Sequence, residues 1–388
     1  MISNLDLKAG ILGGGQLAWM LNLSAQKFGI HTRVWDPARG ASGFRAAGEI
    51  HSSPWDSPTG VEVFCKGLDF CTLEWESIPL SLLEAVEASG TPLMPSSHAV
   101  RSASSRILER ELFTRLGFAT APMLYVKSPG SLSEDVWQSF TGDAPFTKVF
   151  LKHDRGGYDG KGQSRIEASS SVRIVRDFFS LGDSRGIIEA QADLAFEVSV
   201  VAARSASGNF AVLGLFENQH ENGVLRVTRL ARAGSFDHLR AVQMMESLLS
   251  DTDYVGVAAL ELFVEKSGKI LANEWAPRVH NSGHVSLEVF EESQFDFHWR
   301  AVANLKFPEN PAKHRAVMIN VLGDDLTGEP SFTRRDILEG ADPKPFLAKH
   351  LRPEELRAVR KVLPYDYGKK DIRPGRKMGH LNVILQQL

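Results

Sequence analysis

Two glutamates, Glu261 and Glu274, flank a short polar bend, Lys266-Ser267-Gly268-Lys269, with the largely apolar runs Val257–Val264 and Ile270–Trp275 on either side. Runs of this kind, joined by a Gly-containing turn, read as a β-hairpin. A two-residue loop at Ser267-Gly268 sets Glu261 directly opposite Glu274, with Cβ atoms roughly 4.5–5.5 Å apart. Opposed like charges destabilise a hairpin unless a cation lies between them. Carboxylates together with phosphate oxygens are the surroundings Mg²⁺ takes. The alternative is a slipped register with both glutamates facing solvent.

A second cluster, Lys152-His-Asp-Arg-Gly-Gly-Tyr-Asp-Gly-Lys-Gly-Gln163, holds four glycines and three permanent cations. Glycine lets a backbone approach phosphate oxygens with its N–H groups turned toward them, and lysine adds a mobile charge. The spacing is not that of a Walker A loop. The segment reads either as a flap over a polyphosphate or as a hairpin turn with incidental lysines. Arg278-Val-His280-Asn281-Ser-Gly-His284, almost wholly polar or glycine, could hold a small anion and orient a nucleophile. Arg373-Pro-Gly-Arg376-Lys377-Met-Gly-His380 reads as a phosphate clamp or a solvated basic loop. Gly13-x-Gly15-x-x-Ala18, with Asp36 further on, approximates the dinucleotide fingerprint. A substrate phosphate, NAD or a purely structural turn each fit it. Ile187–Ala192 could offer backbone groups to a purine edge, with Glu197 for a ribose; a buried strand and a surface glutamate explain both as well.

The elements that must position these residues follow from periodicity and breakers. Lys8–Leu12, Thr32–Trp35, Phe70–Leu73 and Thr91–Met94 read as strands, with helices from about Gln16 to Lys27 and over Leu80–Glu87. Strands alternating with helices imply a parallel α/β sheet. Beyond about residue 106 come the strands Phe196–Val201 and Ala211–Phe216 and helices over Ser169–Leu181, Phe236–Leu249 and Ser293–Leu305. That pattern is α+β. Pro308, Asn310 and Pro311 mark a linker to a last unit with strands at Ala316–Val321 and Gly379–Leu385.

The 388 residues suit two to three domains. Hydrophobic content of 43%, charged content of 23% and a net charge of −3 are those of an ordinary soluble protein, with no electrostatic call for nucleic acid or an anionic membrane. No secretory signal or bilayer-length apolar run is expected. Cys65 and Cys71 read as reduced small hydrophobes. Together these features point to the cytoplasm.

Gly13-Gly-Gly-Gln-Leu17, Gly156-Gly-Tyr-Asp-Gly-Lys-Gly-Gln163, Asn273-Glu-Trp-Ala-Pro-Arg-Val-His-Asn-Ser-Gly-His284 and Arg373–His380 resemble, in order along nearly the whole chain, the ATP-grasp superfamily. Within it they resemble the 5-(carboxyamino)imidazole ribonucleotide synthetases. The resemblance implies an α/β and α+β architecture: an N-terminal Rossmann-like (pre-ATP-grasp) domain at 1–105, an ATP-grasp domain at 106–310 and a small C-terminal substrate-clamp domain at 311–388. It implies ATP phosphates on Arg106 and Lys152, under a loop of Gly157, Tyr158, Asp159, Gly160, Lys161, Gly162 and Gln163. It places adenine at Glu189, Ala190, Gln191 and Ala192, ribose at Glu197, and further nucleotide contacts at His220, Asn273 and Glu274. Mg²⁺ would sit on Glu261 and Glu274. Gln16, Leu17, Glu76, Tyr158, Arg278, His280, Arg373, Arg376 and Lys377 would hold ribonucleotide or bicarbonate, with Arg278 and Lys377 catalytic. The implied reaction is ATP-dependent carboxylation of 5-aminoimidazole ribonucleotide in purine biosynthesis, by a cytoplasmic homodimer. Other ATP-grasp purine ligases, a nicotinamide-dependent dehydrogenase and a non-catalytic nucleotide-binding regulator are the competing readings. Ala18 and Trp19 depart from the glycine and arginine usual in the family, Ser105-Arg106-Ile-Leu from its Asp-Arg-Leu run, and Ala190-Gln191 from its usual hinge.

Overall fold

The computed structural model describes residues 5–156, 162–328, 332–339 and 343–386. Four short strands, β1 (Leu7–Leu12), β2 (Ile30–Trp35), β3 (Glu49–His51) and β4 (Phe70–Leu73), pair in parallel in the order β3-β2-β1-β4. The apolar residues of β1, β2 and β4 are largely buried, as a parallel sheet covered on both faces requires, whereas the short edge strand β3 is exposed. Helices Gln16–Ala25 and Leu80–Ala88 fall where the sequence put them. Thr91–Met94 does not form the expected strand. It makes a single parallel bridge, Cys71 to Leu93, because Pro92 and Pro95 lack the N–H groups that a ladder needs.

A second sheet joins β5 (Met123–Val126), β6 (Lys148–His153), β7 (Gln163–Glu167) and β8 (Gly186–Ala190), all neighbours antiparallel, in the order β5-β8-β6-β7. A third holds β9 (Leu194–Arg204), β10 (Phe210–Glu221), β11 (Val224–Leu230), β12 (Gly256–Glu265), β13 (Ile270–Ala276), β14 (Arg315–Leu322), β15 (Val359–Asp366) and β16 (Lys377–Leu385). Its order is β13-β12-β9-β10-β11-β14-β16-β15. The strands expected in the C-terminal unit therefore continue this sheet, through Val227 opposite Ile319 on β11 and β14.

Helix Gln294–Val302 fastens the parallel sheet to the large one. Trp299 is fully buried and its indole N–H donates to the Leu21 carbonyl at 2.9 Å. His298 accepts from the Val257 N–H at Nδ1 (3.2 Å), which leaves the proton on Nε2 to donate to Thr72 Oγ1 at 2.8 Å. Burial holds this imidazole down at about 3, so it stays neutral. Ser24 and Lys27 bond Asp296 from the other side. Trp299→Ala should therefore lower the unfolding free energy by roughly 3–5 kcal/mol, measured by urea titration.

Candidate active site

The hairpin of β12 and β13 does place Glu261 opposite Glu274, by a route the sequence did not show. The loop has three residues, Lys266 to Gly268, closed by Glu265 N–H to the Lys269 carbonyl at 2.9 Å. Gly268 takes the left-handed conformation (φ +85°) that this longer loop requires. Leu262 accordingly faces Ala272, and the register then shifts before Glu261 meets Glu274, leaving Asn273 as the extra residue of a β-bulge. The bulge compensates for the longer loop.

Glu261 is buried, whereas Glu274 is exposed. Burial first, and then Glu274, push the Glu261 carboxyl well above the usual carboxylate range, while His220 and Lys377 work in the opposite direction. The His280 Nε2 lies 3.2 Å from Glu261 Oε1. At His280 Nδ1 the backbone N–H of Ser282 arrives at 3.3 Å, so Nδ1 accepts and Nε2 carries the proton that points at Glu261. Burial, with Arg278 and Lys377 nearby, keeps His280 neutral. Glu197 binds His220 Nδ1 at 2.7 Å. Burial alone would lower His220, but that bond outweighs it and raises the imidazole.

Beside this acidic centre, helix Arg106–Arg115 runs between the two antiparallel sheets. Its cap, Ser105, donates to Asp154 Oδ1 at 2.6 Å, and Arg106 Nε donates to the His153 carbonyl at 3.1 Å, next to Lys152. Arg110, only 2% exposed, binds Glu189 through Nε (2.7 Å) and Nη2 (2.6 Å). Lys152 Nζ pairs with the other Glu189 oxygen. Burial alone would raise Glu189, but Arg110 and Lys152 together hold it at about 2. Glu109 accepts the Trp275 N–H at 2.8 Å, next to Glu274. Thus Glu189 is a structural counter-ion to Arg110 and Lys152. At the expected hinge the N–H groups of Ala190 and Gln191 are not free as the sequence reading supposed. They donate to the Pro122 carbonyl (2.8 Å) and the Lys148 carbonyl (2.9 Å). Pro122 has no N–H to return, so it cannot occupy the Ala190 carbonyl.

The glycine-rich N-terminus of helix Gln16–Ala25 is filled from within. Gly14 N–H donates to Asp36 Oδ2 (2.8 Å) and Gly15 N–H to Glu74 Oε1 (2.8 Å). Asp36 also accepts from Ala38 N–H at 2.7 Å, so both its oxygens are engaged and it is not presented to a nucleotide ribose. Leu17 packs its side chain in the core and Gln16 is half-buried. Trp19 lies under Arg45, whose guanidinium carbon sits 4.9 Å from the ring centroid. Arg278 reaches back from the large sheet to grip Glu76 through Nε and Nη2, the latter at 3.1 Å.

Of the expected C-terminal cations, Lys377 shares the electrostatic surroundings of Glu261, His220 and His280. Arg373 and Arg376 instead pair with Asp371 on an exposed turn, at 2.6 and 3.0 Å. His380 is not a cation: it is fully buried, bonded by Tyr367 at 2.9 Å, and burial lowers it to about 3. Gly157, Tyr158, Asp159, Gly160 and Lys161 lie outside the described residues; Gly162 and Gln163 lead into β7. Glu74, Glu109 and Arg110 were not foreseen as part of the site. Glu74 had a signal, since it stands just past the carboxyl end of a parallel strand, where such sheets place ligand sites.

Two antiparallel sheets bridged by helix Arg106–Arg115, with Lys152 and Arg106 on one side and an acidic pair on the other, make the arrangement of an ATP-grasp enzyme. Family models agree segment by segment: the ribonucleotide synthetase preATP-grasp domain over residues 7–104, the ATP-grasp domain over 111–295 and the phosphoribosylaminoimidazole carboxylase C-terminal domain over 316–388. The N5-carboxyaminoimidazole ribonucleotide synthase of Brucella melitensis is 33% identical over 97% of this chain and 95% of its own. That of Saccharolobus solfataricus is 31% identical over 99% and 93%. The Staphylococcus aureus N5-carboxyaminoimidazole synthetase, solved with ADP, superposes with a TM-score of 0.82 at 27% identity, covering 100% of this chain and 95% of that one. The Thermus thermophilus synthetase gives 0.78 at 30% identity, over 97% and 93%. The chain belongs to the N5-carboxyaminoimidazole ribonucleotide synthase family and is an ATP-dependent ligase. Among the described residues no helix is long and apolar enough to cross a membrane.

Two outcomes follow from this geometry. Mg-ATP at 100 times its Kd should stabilise the protein by about 2.7 kcal/mol, whereas NAD should leave the thermal midpoint unmoved, read by differential scanning fluorimetry. Glu189→Ala should cost roughly 3–5 kcal/mol by stranding buried Arg110. Because the folded Glu189 carboxyl is held below its ordinary value, its stabilisation is fully present above pH 4.5 and is lost as the pH falls through about 2. The gap in unfolding free energy between wild type and variant should therefore narrow over that window in acid titrations.

Proposed function

We propose that the chain carries out ATP-dependent carboxylation of 5-aminoimidazole ribonucleotide with bicarbonate, giving the 5-carboxyamino product, ADP and phosphate in purine biosynthesis. The carrying observation is the buried Glu261 held opposite Glu274. Among the described residues no three His, Cys, Asp or Glu side chains are arranged to hold a metal unaided. A buried carboxylate raised by burial and by its neighbour is the donor set a divalent cation relieves when phosphate oxygens complete its shell. Glu261 and Glu274 would hold Mg²⁺, which supplies charge neutralisation to the triphosphate.

The chain's own residues do the rest. Lys152 and Arg106 take the ATP phosphates, with Glu189 holding the lysine in place until nucleotide arrives. The segment Gly157–Gln163 would add contacts to the phosphates, Ala190 and Ala192 offer backbone groups to adenine, and Glu197, His220 and Asn273 take the rest of the nucleoside. Bicarbonate attacks the γ-phosphorus, and the carboxyphosphate formed breaks down to carbon dioxide beside the substrate amine, which captures it. Phosphoryl transfer of this kind rests on positioning and electrostatics rather than on a covalent nucleophile. Water must be kept out, since carboxyphosphate hydrolyses. His280 lies beside Glu261 and Lys377 shares its electrostatic surroundings, and the two would face the bicarbonate. Arg278, fixed by Glu76, would orient the ribonucleotide, with Gln16, the Leu17 backbone and Tyr158. Arg373 and Arg376 would serve as an outer clamp once released from Asp371. The setting implied by the family resemblance is a cytoplasmic homodimer acting without nucleic acid or membrane.

Glu261→Gln and Glu274→Ala should each lower ribonucleotide-dependent ADP release on the order of 10²–10³-fold. The assay follows ADP with and without aminoimidazole ribonucleotide and bicarbonate. Undiminished release in Glu274→Ala would sink this account.

A further inference from the structure

The loop that carries Arg278 and His280 leaves β13 without a ladder partner of its own, yet it holds His280 Nε2 3.2 Å from Glu261 Oε1. Part of the fixation comes from the loop itself, with the Gly283 N–H donating to the His280 carbonyl (3.0 Å) and Ser282 bonding His280 Nδ1, and one fully buried side chain adds the rest. Gln294, the first residue of helix Gln294–Val302, accepts the His280 backbone N–H at Oε1 (2.8 Å) and donates from Nε2 to the His280 carbonyl (2.7 Å). A single amide thereby imitates a strand neighbour and satisfies both main-chain groups of one residue. The same Nε2 lies 3.0 Å from His284 Nδ1, at the far end of the loop. Gln294 is itself held, its N–H donating to Ser286 Oγ at 3.0 Å, while Ser286 Oγ donates to the Gly283 carbonyl at 2.5 Å. The fit leaves no slack, because a Cβ on Gly283 would stand 2.3 Å from Gln294 Oε1.

We propose that Gln294 is a positioning residue for the phosphoryl-transfer centre, setting His280 against Glu261 by gripping both backbone groups of His280 with one side-chain amide. The inference rests on the reading of Glu261 and His280 given above. It adds that helix Gln294–Val302, which fastens the parallel sheet through Trp299 and His298, also sets the geometry of the acidic centre. Substrate subsites on the two sheets thus share one rigid reference.

The test is a double-mutant cycle on the full chain. The turnover number for ribonucleotide-dependent ADP release and KM for Mg-ATP are measured for Gln294→Met, Gln294→Glu, His280→Asn and Gln294→Met combined with His280→Asn, each with a thermal unfolding curve. Methionine keeps the length of Gln294 without its polar atoms; glutamate keeps only the acceptor for the His280 N–H. Gln294→Met should lose on the order of 10²-fold in kcat with KM for Mg-ATP held within about two-fold, as displacement of an aligned group by about 1 Å would cause. Gln294→Glu should fall between it and wild type. In the combined variant the loss should equal that of His280→Asn alone, since a residue that acts through His280 then has nothing left to act on. Losses that multiply in the combined variant, or wild-type kcat in Gln294→Met, would overturn the positioning role. A His280→Asn enzyme with wild-type kcat would instead overturn the reading of the site, and the positioning role with it. If Gln294→Met does not fold, Gln294→Glu carries the same cycle at smaller amplitude.

Discussion

Two carboxylates held face to face across a β-hairpin set the terms for the rest of this molecule. Left alone, the pair of Glu261 and Glu274 opposes folding, since like charges on directly opposed residues repel and Glu261 has little water to screen it. The hairpin keeps them together because the apolar residues on its other face decide the register. Leu260, Leu262 and Ala272 are packed in one core cluster, and a slip by one residue would turn them out. Hydrophobic burial thus maintains an electrostatic tension that a cation and a polyphosphate can relieve. The surrounding side chains are arranged for the same centre: Lys377, His220 and the Nε2–H of His280 all approach Glu261.

A second buried charge system stands beside the acidic pair. Arg110 is almost wholly enclosed, and it is tolerable there only because Glu189 and Glu109 both meet it. Since Glu189 also takes Lys152, and Glu109 also takes the backbone beside Glu274, one helix ties β6, β8 and the acidic hairpin together. Buried pairs of this kind contribute little net stability, but their geometry is exacting. The phosphate-facing cation and the acidic pair are held to one frame before substrate arrives, which is the form of preorganisation that phosphoryl transfer rewards.

The N-terminal sheet shows how a familiar pattern can be put to another use. Its Gly-rich turn, strand and downstream aspartate are all present, but Asp36 and Glu74 occupy the amides that would otherwise receive a ligand phosphate. The helix N-terminus retains its preference for an anion; the anion is a protein carboxylate. Glu76, two residues beyond Glu74, bonds Arg278 of the large sheet, so the sheet's contribution passes to the strand end beside β1.

Local sequence determined much of this. Alternation, breakers and composition located most of the elements, and the spacing of Glu261 and Glu274 about a Gly-containing bend named the right pair, though the register that joins them is not the one a two-residue loop would set. The loop length was still misread, since a three-residue turn and a bulge at Asn273 cancel and leave no net trace in the spacing. Tertiary structure alone decided the partners of groups far apart in the chain: Gly15 with Glu74, Arg110 with Glu189, Arg278 with Glu76, Thr72 with His298. It also decided that His380, one of four candidate cations in its motif, is buried and neutral while Lys377 joins the acidic centre. Charge state and partnership depend on burial, and burial is fixed only when distant segments pack. A sequence can show which side chains are able to bear charge, but the enclosure that decides which of them do is a property of the folded whole.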